Sequence, residues 1–318
     1  MRLGLVLIAL GFCAYGLAAQ RTEVVAALEQ LRWYSVAAAV GAALTGLFCM
    51  MLAWRSLLAD LGSPLGLRRA TTIMFVGQLG KYVPGMVWAF AAQVELAREH
   101  KIARRRSASA TVVTVAVTLA TGLVVAALTL PLASRGAARH YWWVLACAPL
   151  ILAGLYPPLL GAALDRLLRL ARRPPLERRI SLPGLARCVA WSALGWACFG
   201  LHLWFLVAGV TGRGAGVLLL SVGTYALAWS VGFVLIIFPS GVGPRELAMI
   251  AGLAPVMPRG SALVVAIVSR LVMTVGDVTW AGLGLALGRR AAGVREEPNI
   301  QQNGWRGVRR RRGQTLRQ

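Results

Sequence analysis

Apolar residues in this chain fall in long runs rather than at alternate positions. Such runs cover Leu3–Ala19, Trp33–Trp54, Ala108–Leu130, Tyr141–Leu164, Cys188–Val210 and Ala262–Leu287. Each is close to the length of helix that crosses a hydrocarbon core of about 30 Å. Leu3–Ala19 could serve as a secretory leader, with Gly16-Leu-Ala18 as a poor cleavage site. The next run follows closely, so we read it as a retained helix. Trp33 and Trp54 bound the second run, where interfacial aromatics are expected. Pro131 is predicted to end the third, and Pro149 with the Pro157-Pro158 pair to kink the fourth.

Two more stretches are apolar overall yet broken. Ala70–Ala97 contains Gln78, Lys81, Pro84, Gly85, Gln93 and Glu95. Gly216–Pro258 contains Phe238-Pro-Ser-Gly-Val-Gly-Pro-Arg-Glu246, a long apolar arm before it and a short one after. Irregular backbone at membrane depth survives only where protein buries it or where it lines a cavity. Basic residues flank the first stretch on both sides, so each stretch is predicted to be a helical hairpin that enters and leaves the membrane on one side; if each arm of the second crosses fully instead, the parity is unchanged. Helices should restart just after Pro84-Gly85 and at Pro244, because Pro is favoured in a first helical turn.

Composition agrees with a membrane protein: 58% hydrophobic and 14% charged residues, against roughly 25% charged in soluble domains. The net charge of +23 could suggest nucleic acid, but the basic residues sit between apolar runs and in the tail, and no nucleic-acid motif accompanies them. Six crossing helices plus two same-side hairpins put Arg2, three basic residues from Arg55 to Arg69, five from Arg98 to Arg106, seven from Arg166 to Arg187 and nine in the tail on one side, 25 in all. The other side receives six: Arg21, Arg32, Arg135, Arg139, Arg213 and Arg259. The expectation is an all-α polytopic membrane protein with both termini cytoplasmic. Hydropathy alone would count seven or eight spans. The hairpins then enter from opposite sides, as in inverted-repeat transporters. Residues 1–288 form the membrane domain, Asp165–Arg187 a polar loop within it, and 289–318 a basic tail expected to be disordered.

Lys81, Arg245 and Arg270 remain at membrane depth, where charges are rare and usually functional. Helix N-termini attract anions, and Arg245 can grip phosphate in a bidentate way while Lys81 acts as a point charge. The candidate substrate-binding set is Lys81, Tyr82, Pro84, Gly85 and Glu95 from the first break, Ser240, Gly241, Gly243, Arg245 and Glu246 from the second, and Arg270 and Asp277 from the last span. Alternatives stand beside this. Arg245 could pair with Glu246 or Asp277; Arg270 and Asp277, two turns apart on one face, could be structural; Glu95 and Arg98 could be a surface pair. Gln78, Gln93, Trp88 and Tyr82 could line a cavity or simply pack. Ser240 with His202 could suggest a hydrolase, but Phe238 stands where an intramembrane serine protease has the first Gly of Gly-x-Ser-Gly. We expect no enzyme activity. Five cysteines without paired spacing give no metal or redox motif, and no cofactor is implied.

The two breaks carry a family resemblance. Gly80-Lys-Tyr-Val-Pro-Gly-Met-Val-Trp88, followed by Gln93-Val-Glu-Leu-Ala97, resembles the first signature of the lysylphosphatidylglycerol synthase transmembrane region family, also called flippase-like or UPF0104 membrane proteins. Pro239-Ser-Gly-Val-Gly-Pro-Arg-Glu246 resembles the second, a Pro-x-Gly-x-Gly-x-Arg-Glu run. Many members continue the first motif as Pro-Gly-x-x-Gly-Glu, whereas Val87-Trp88-Ala89 follows Met86 here. The resemblance covers roughly residues 1–290. It implies binding or translocation of an anionic phospholipid or a polyprenyl-phosphate-linked sugar, not lipid synthesis, because the tail after Arg289 is too short for a synthase domain. It also implies a place in the bacterial inner membrane and an envelope glycosyltransferase as a possible partner.

Overall fold

The computed structural model describes residues 32–82, 87–133, 156–170, 179–211, 214–235 and 243–293, with isolated positions at 22, 149 and 153. Every regular element among them is helical: α1 (Trp33–Asp60), α2 (Leu67–Thr71), α3 (Val87–Glu99), α4 (Arg104–Ala133), α5 (Pro157–Leu170), α6 (Leu182–Thr211), α7 (Ala215–Val234), α8 (Pro244–Leu253) and α9 (Arg259–Gly293). A π-helical turn, Thr72–Val76, and a 3-10 turn, Leu79–Tyr82, extend α2 towards the first break. Five described helices are long and apolar enough to cross a membrane: α1, α4, α6, α7 and α9. About half of each apolar window is buried, and the other face carries exposed Leu and Val such as Leu132, Leu271 and Val278. That division suits helices packed on protein on one side and lipid on the other.

These helices satisfy their own polar groups. Thr111, Thr114, Thr121 and Thr129 donate their hydroxyls to carbonyls one turn back, on Ser107, Ala110, Val117 and Val125. A hydroxyl bonded this way can sit in an apolar environment at little cost. Small residues then let backbones approach. A Cβ on Gly46 of α1 would lie 2.6 Å from the Phe199 ring of α6, and one on Gly195 would lie 2.8 Å from Met50. α1 and α6 form the most extensive helix pair, with α7 packed on α4 and α6. The start of α6 is tied to the end of α1: Ser181 donates its N–H and hydroxyl to the Asp60 carboxylate, at 2.8 and 2.5 Å. The Ser181 hydroxyl accepts the Gly184 N–H as an N-cap. A side chain at Gly184 would collide with that carboxylate.

Both broken stretches fold back on themselves. A Cβ on Gly77 would lie 2.9 Å from Gln93, and one on Gly80 2.8 Å from Ala89, which pairs the two arms of the first hairpin antiparallel. In the second, α8 returns along α7, with Gly252 against Thr224. α3 has 13 residues and α8 has 10, about 20 and 15 Å of helix, too short to cross about 30 Å. α8 starts at Pro244, where the sequence predicts a restart, and the described part of α3 begins at Val87.

Several boundaries differ from those read off the sequence. α7 is by itself long enough to cross, so the second break follows a complete candidate span. Pro131 does not end α4; the helix runs on to Ala133, its last turn held against α7, where a Cβ on Gly216 would lie 2.9 Å from the Ala133 carbonyl. Pro157 and Pro158 open α5 rather than kink a longer helix, because a first turn has no use for their missing N–H groups. The expected loop from Asp165 to Arg187 is helical to Leu170 and again from Leu182. α9 continues to Gly293, its candidate membrane span ending at Gly288. The runs Leu3–Ala19 and most of Tyr141–Leu164, and the tail beyond Gly293, lie outside the described residues.

Candidate functional site

The two hairpins, α1, α4, α6, α7 and α9 enclose a cavity of about 290 Å³. Its charged part is made by Lys81 of the first hairpin, Arg245 of the second, and Arg270 and Asp277 of α9. Gln78 and Gln93 add amides. The remaining wall is aromatic and apolar, with Trp54, Phe90, Trp196, Phe199, Trp229 and Phe233, and a row of Thr111, Thr114 and Thr118 along α4.

α9 is the strut between the hairpins. Asp277 pairs with Lys81 Nζ at 2.5 Å, and Arg270 pairs with the Glu246 carboxylate. The two residues lie on one face about 10 Å apart, and they hold the two hairpins with opposite polarity. Trp280, one turn beyond Asp277, is stacked between Phe48 and Phe75 at 5.3 and 5.0 Å and donates its N–H to the Leu44 carbonyl at 3.0 Å. Thr72, in the π turn, donates to the Gly284 carbonyl at 2.8 Å. These contacts fix α9 against α1 and the first hairpin, so Asp277 meets Lys81 in a set position.

The N-terminus of α8 is differently occupied from what helix polarity alone suggests. Gly243 has φ 95°, a left-handed conformation that favours glycine. Its N–H donates to Glu246 Oε2 at 2.7 Å, while Oε1 of the same carboxylate takes Arg270. The N-cap N–H is therefore taken by the helix's own acidic residue. Arg245 stands beside it in the first turn of α8. Arg245 Nη2 donates to the Tyr225 hydroxyl at 2.5 Å, with its guanidinium carbon 4.9 Å from the ring centroid. Among the described residues it meets no carboxylate.

Tyr225 is fully buried. Its ring stands edge-on to His202 at 4.7 Å and leans on Phe199 at 5.5 Å. His202 is also fully buried, bonded to the Phe199 carbonyl at 2.5 Å and to the Ser269 hydroxyl at 2.8 Å. It is a packing residue that ties α6 to α9 directly behind Arg245. Trp54 and Trp196, both buried, donate to Thr111 Oγ1 and to the Thr118 carbonyl, at 3.2 and 3.1 Å. Trp54 thus points into the protein and is not the interfacial anchor its position suggests.

Of the sequence-derived candidates, Lys81, Arg245, Arg270 and Asp277 come together on the cavity, with Glu246 and Gly243 directly behind them. Glu95 lies elsewhere. It is half-exposed and accepts bonds from Arg98 at 2.6 Å and Arg104 at 2.9 Å, a latch between α3 and α4. Those bonds, Arg98 first, hold its carboxyl below the ordinary carboxylate range. Trp88 is exposed and does not line the cavity. Pro84, Gly85, Ser240 and Gly241, and the side chain of Tyr82, lie outside the described residues. Tyr225 and the aromatic wall were not anticipated. The 111, 114, 118 spacing of threonines was a legible sign that one polar stripe of α4 faces something other than lipid.

No curated protein matches the chain. The family described as lysylphosphatidylglycerol synthase TM region matches residues 2–281, nearly the whole membrane portion. With two broken hairpins, five candidate spans among the described residues and a charged cavity between them, the chain belongs to that family and is a multi-pass membrane protein.

Proposed function

We propose that the chain binds the anionic headgroup of a membrane lipid in this cavity and carries it between leaflets, without covalent chemistry. Arg245 carries this reading. It is a permanent cation in an aromatic-walled cavity, held by a neutral hydroxyl rather than a carboxylate. Its other guanidinium donors are suited to a phosphate, whose geometry the planar fork matches. The tryptophan and phenylalanine wall suits the first part of an acyl or isoprenoid chain. Lys81 and Arg270 stand beside it, each within reach of exchanging its carboxylate for a ligand oxygen.

An anionic phospholipid or a polyprenyl-phosphate glycolipid fits this division of polar and apolar surface. The 25-to-six split of basic residues supports a bacterial inner membrane with both termini cytoplasmic. The shortness of α3 and α8 supports return arms that end within the membrane, the second of them following the candidate span α7, an arrangement of broken helices that transporters use around a binding site. The test is reconstitution in vesicles containing a headgroup-labelled anionic lipid, with movement read as loss of label accessibility to an impermeant quencher. Arg245→Ala and Lys81→Ala should abolish movement while the protein stays folded by gel filtration. Unchanged movement in both variants removes these residues from the mechanism. Protein that binds the lipid but never moves it would fit a membrane partner of an envelope glycosyltransferase instead.

A further inference from the structure

We infer that the cavity is built for a headgroup bearing one negative charge, a phosphodiester, and selects against phosphate monoesters and pyrophosphates. This rests on the lipid-binding reading above. The argument is a charge count. Lys81, Arg245 and Arg270 bring three positive charges; Asp277 and Glu246 bring two negative ones. Lys81 is matched with Asp277 and Arg270 with Glu246. Arg245 is matched with the neutral Tyr225 hydroxyl. Val83–Met86 and Ile236–Val242, which join the arms of the two breaks in the sequence, contain no acidic or basic side chain.

Among the described residues, one positive charge is therefore left for the ligand to neutralise. An unmatched charge away from water is costly, and a matched one much less so. A phosphodiester brings the cavity to neutrality. A pyrophosphate, or a monoester in its doubly ionised form, leaves an excess negative charge among aromatic side chains. It could be accommodated only by breaking an existing ion pair, which would expose Asp277 or Glu246 to the ligand. The same logic separates the two cargo sources. A phospholipid such as phosphatidylglycerol and a sugar on polyprenyl monophosphate are both phosphodiesters and both fit. A sugar on polyprenyl pyrophosphate does not.

The experiment is lipid competition by native mass spectrometry of the purified full chain at pH 8. The probes are phosphatidylglycerol, phosphatidic acid of the same acyl chains, a polyprenyl monophosphate sugar and the matching pyrophosphate sugar. Both diesters should outcompete their monoester or pyrophosphate counterparts by at least roughly tenfold, the equivalent of ~1.4 kcal/mol. Asp277→Asn, which raises the count to two positive charges, should reverse that order. Arg245→Gln should remove diester binding. Pyrophosphate or monoester binding as tight as the diesters, in protein that still binds lipid, overturns the charge count and leaves the lipid-binding reading standing. Absence of binding by all four lipids overturns both.

Discussion

Replacing Glu246 by Gln isolates the ion pair that holds the second hairpin to α9. Gln is isosteric, and its amide oxygen can still accept the Gly243 N–H that Glu246 accepts at 2.7 Å. What is lost is the charge opposite Arg270. Removing one partner of a buried pair costs about 3–5 kcal/mol, because the other charge is left uncompensated. Here the Glu246 side chain is 9% exposed and that of Arg270 33%. Arg270 can therefore recover part of its hydration, and the expected cost falls to ~2 kcal/mol. At roughly 2–4 °C per kcal/mol for chains of 150–250 residues, the melting temperature in detergent should drop by several degrees. Glu246→Ala should cost about 1 kcal/mol more, since it also removes the acceptor at the α8 N-terminus. The double variant Glu246→Gln with Arg270→Gln removes the stranded charge and should recover at least half of the single-variant loss. Thermal unfolding of the wild type, Glu246→Gln, Arg270→Gln and the double variant in one detergent measures the cycle. A double variant whose loss equals the sum of the two singles would show that the pair is not coupled, and the view of α9 as a strut would fail.

Tyr225→Phe leaves the aromatic packing on His202 and Phe199 but removes the hydroxyl that holds Arg245; the lost hydrogen bond to a charged group, worth ~1.5–3 kcal/mol, should lower the melting temperature by several degrees, and lipid affinity measured by native mass spectrometry should fall as Arg245 loses its fixed position. Gly46→Leu should destabilise by 1–3 kcal/mol or more, because its Cβ alone would overlap the Phe199 ring; unchanged thermal stability would refute close α1–α6 contact there. Glu95 has a depressed folded-state pKa, so its contribution is present above the ordinary carboxylate range and is lost as pH falls through the lowered value. Glu95→Gln should accordingly matter most above that range, less as pH falls towards the lowered value, and only at low salt, the shift in melting temperature vanishing in about 0.5 M NaCl.

Much of the architecture was legible because the bilayer imposes a simple rule. A backbone in hydrocarbon must satisfy itself, so long apolar runs such as those around α1, α4, α6 and α9 had to be helices. Interruptions by Pro and Gly, at 84–85 and 239–244, had to be breaks. The same rule made Lys81, Arg245, Arg270 and Asp277 conspicuous before any contact was known. Boundaries were less legible. Whether a proline bends, ends or opens a helix depends on its place in the turn, and Pro131 and Pro157 each took a different place from the one predicted.

Local pattern thus determined the helical class, the two broken stretches and which charges interrupt the apolar runs. Tertiary structure alone decided how those charges are matched. Neighbouring in sequence, Arg245 and Glu246 part company: one reaches Tyr225 on α7 and the other Arg270 on α9. Lys81 finds Asp277 almost two hundred positions away. Helix spacing places a side chain on a face, but the partner across a helix interface depends on where the glycines let backbones close. That depends on every helix at once. The second break was conspicuous in the sequence for its Arg-Glu pair. In the folded chain that pair is divided between an ion pair with α9 and a guanidinium left to the cavity.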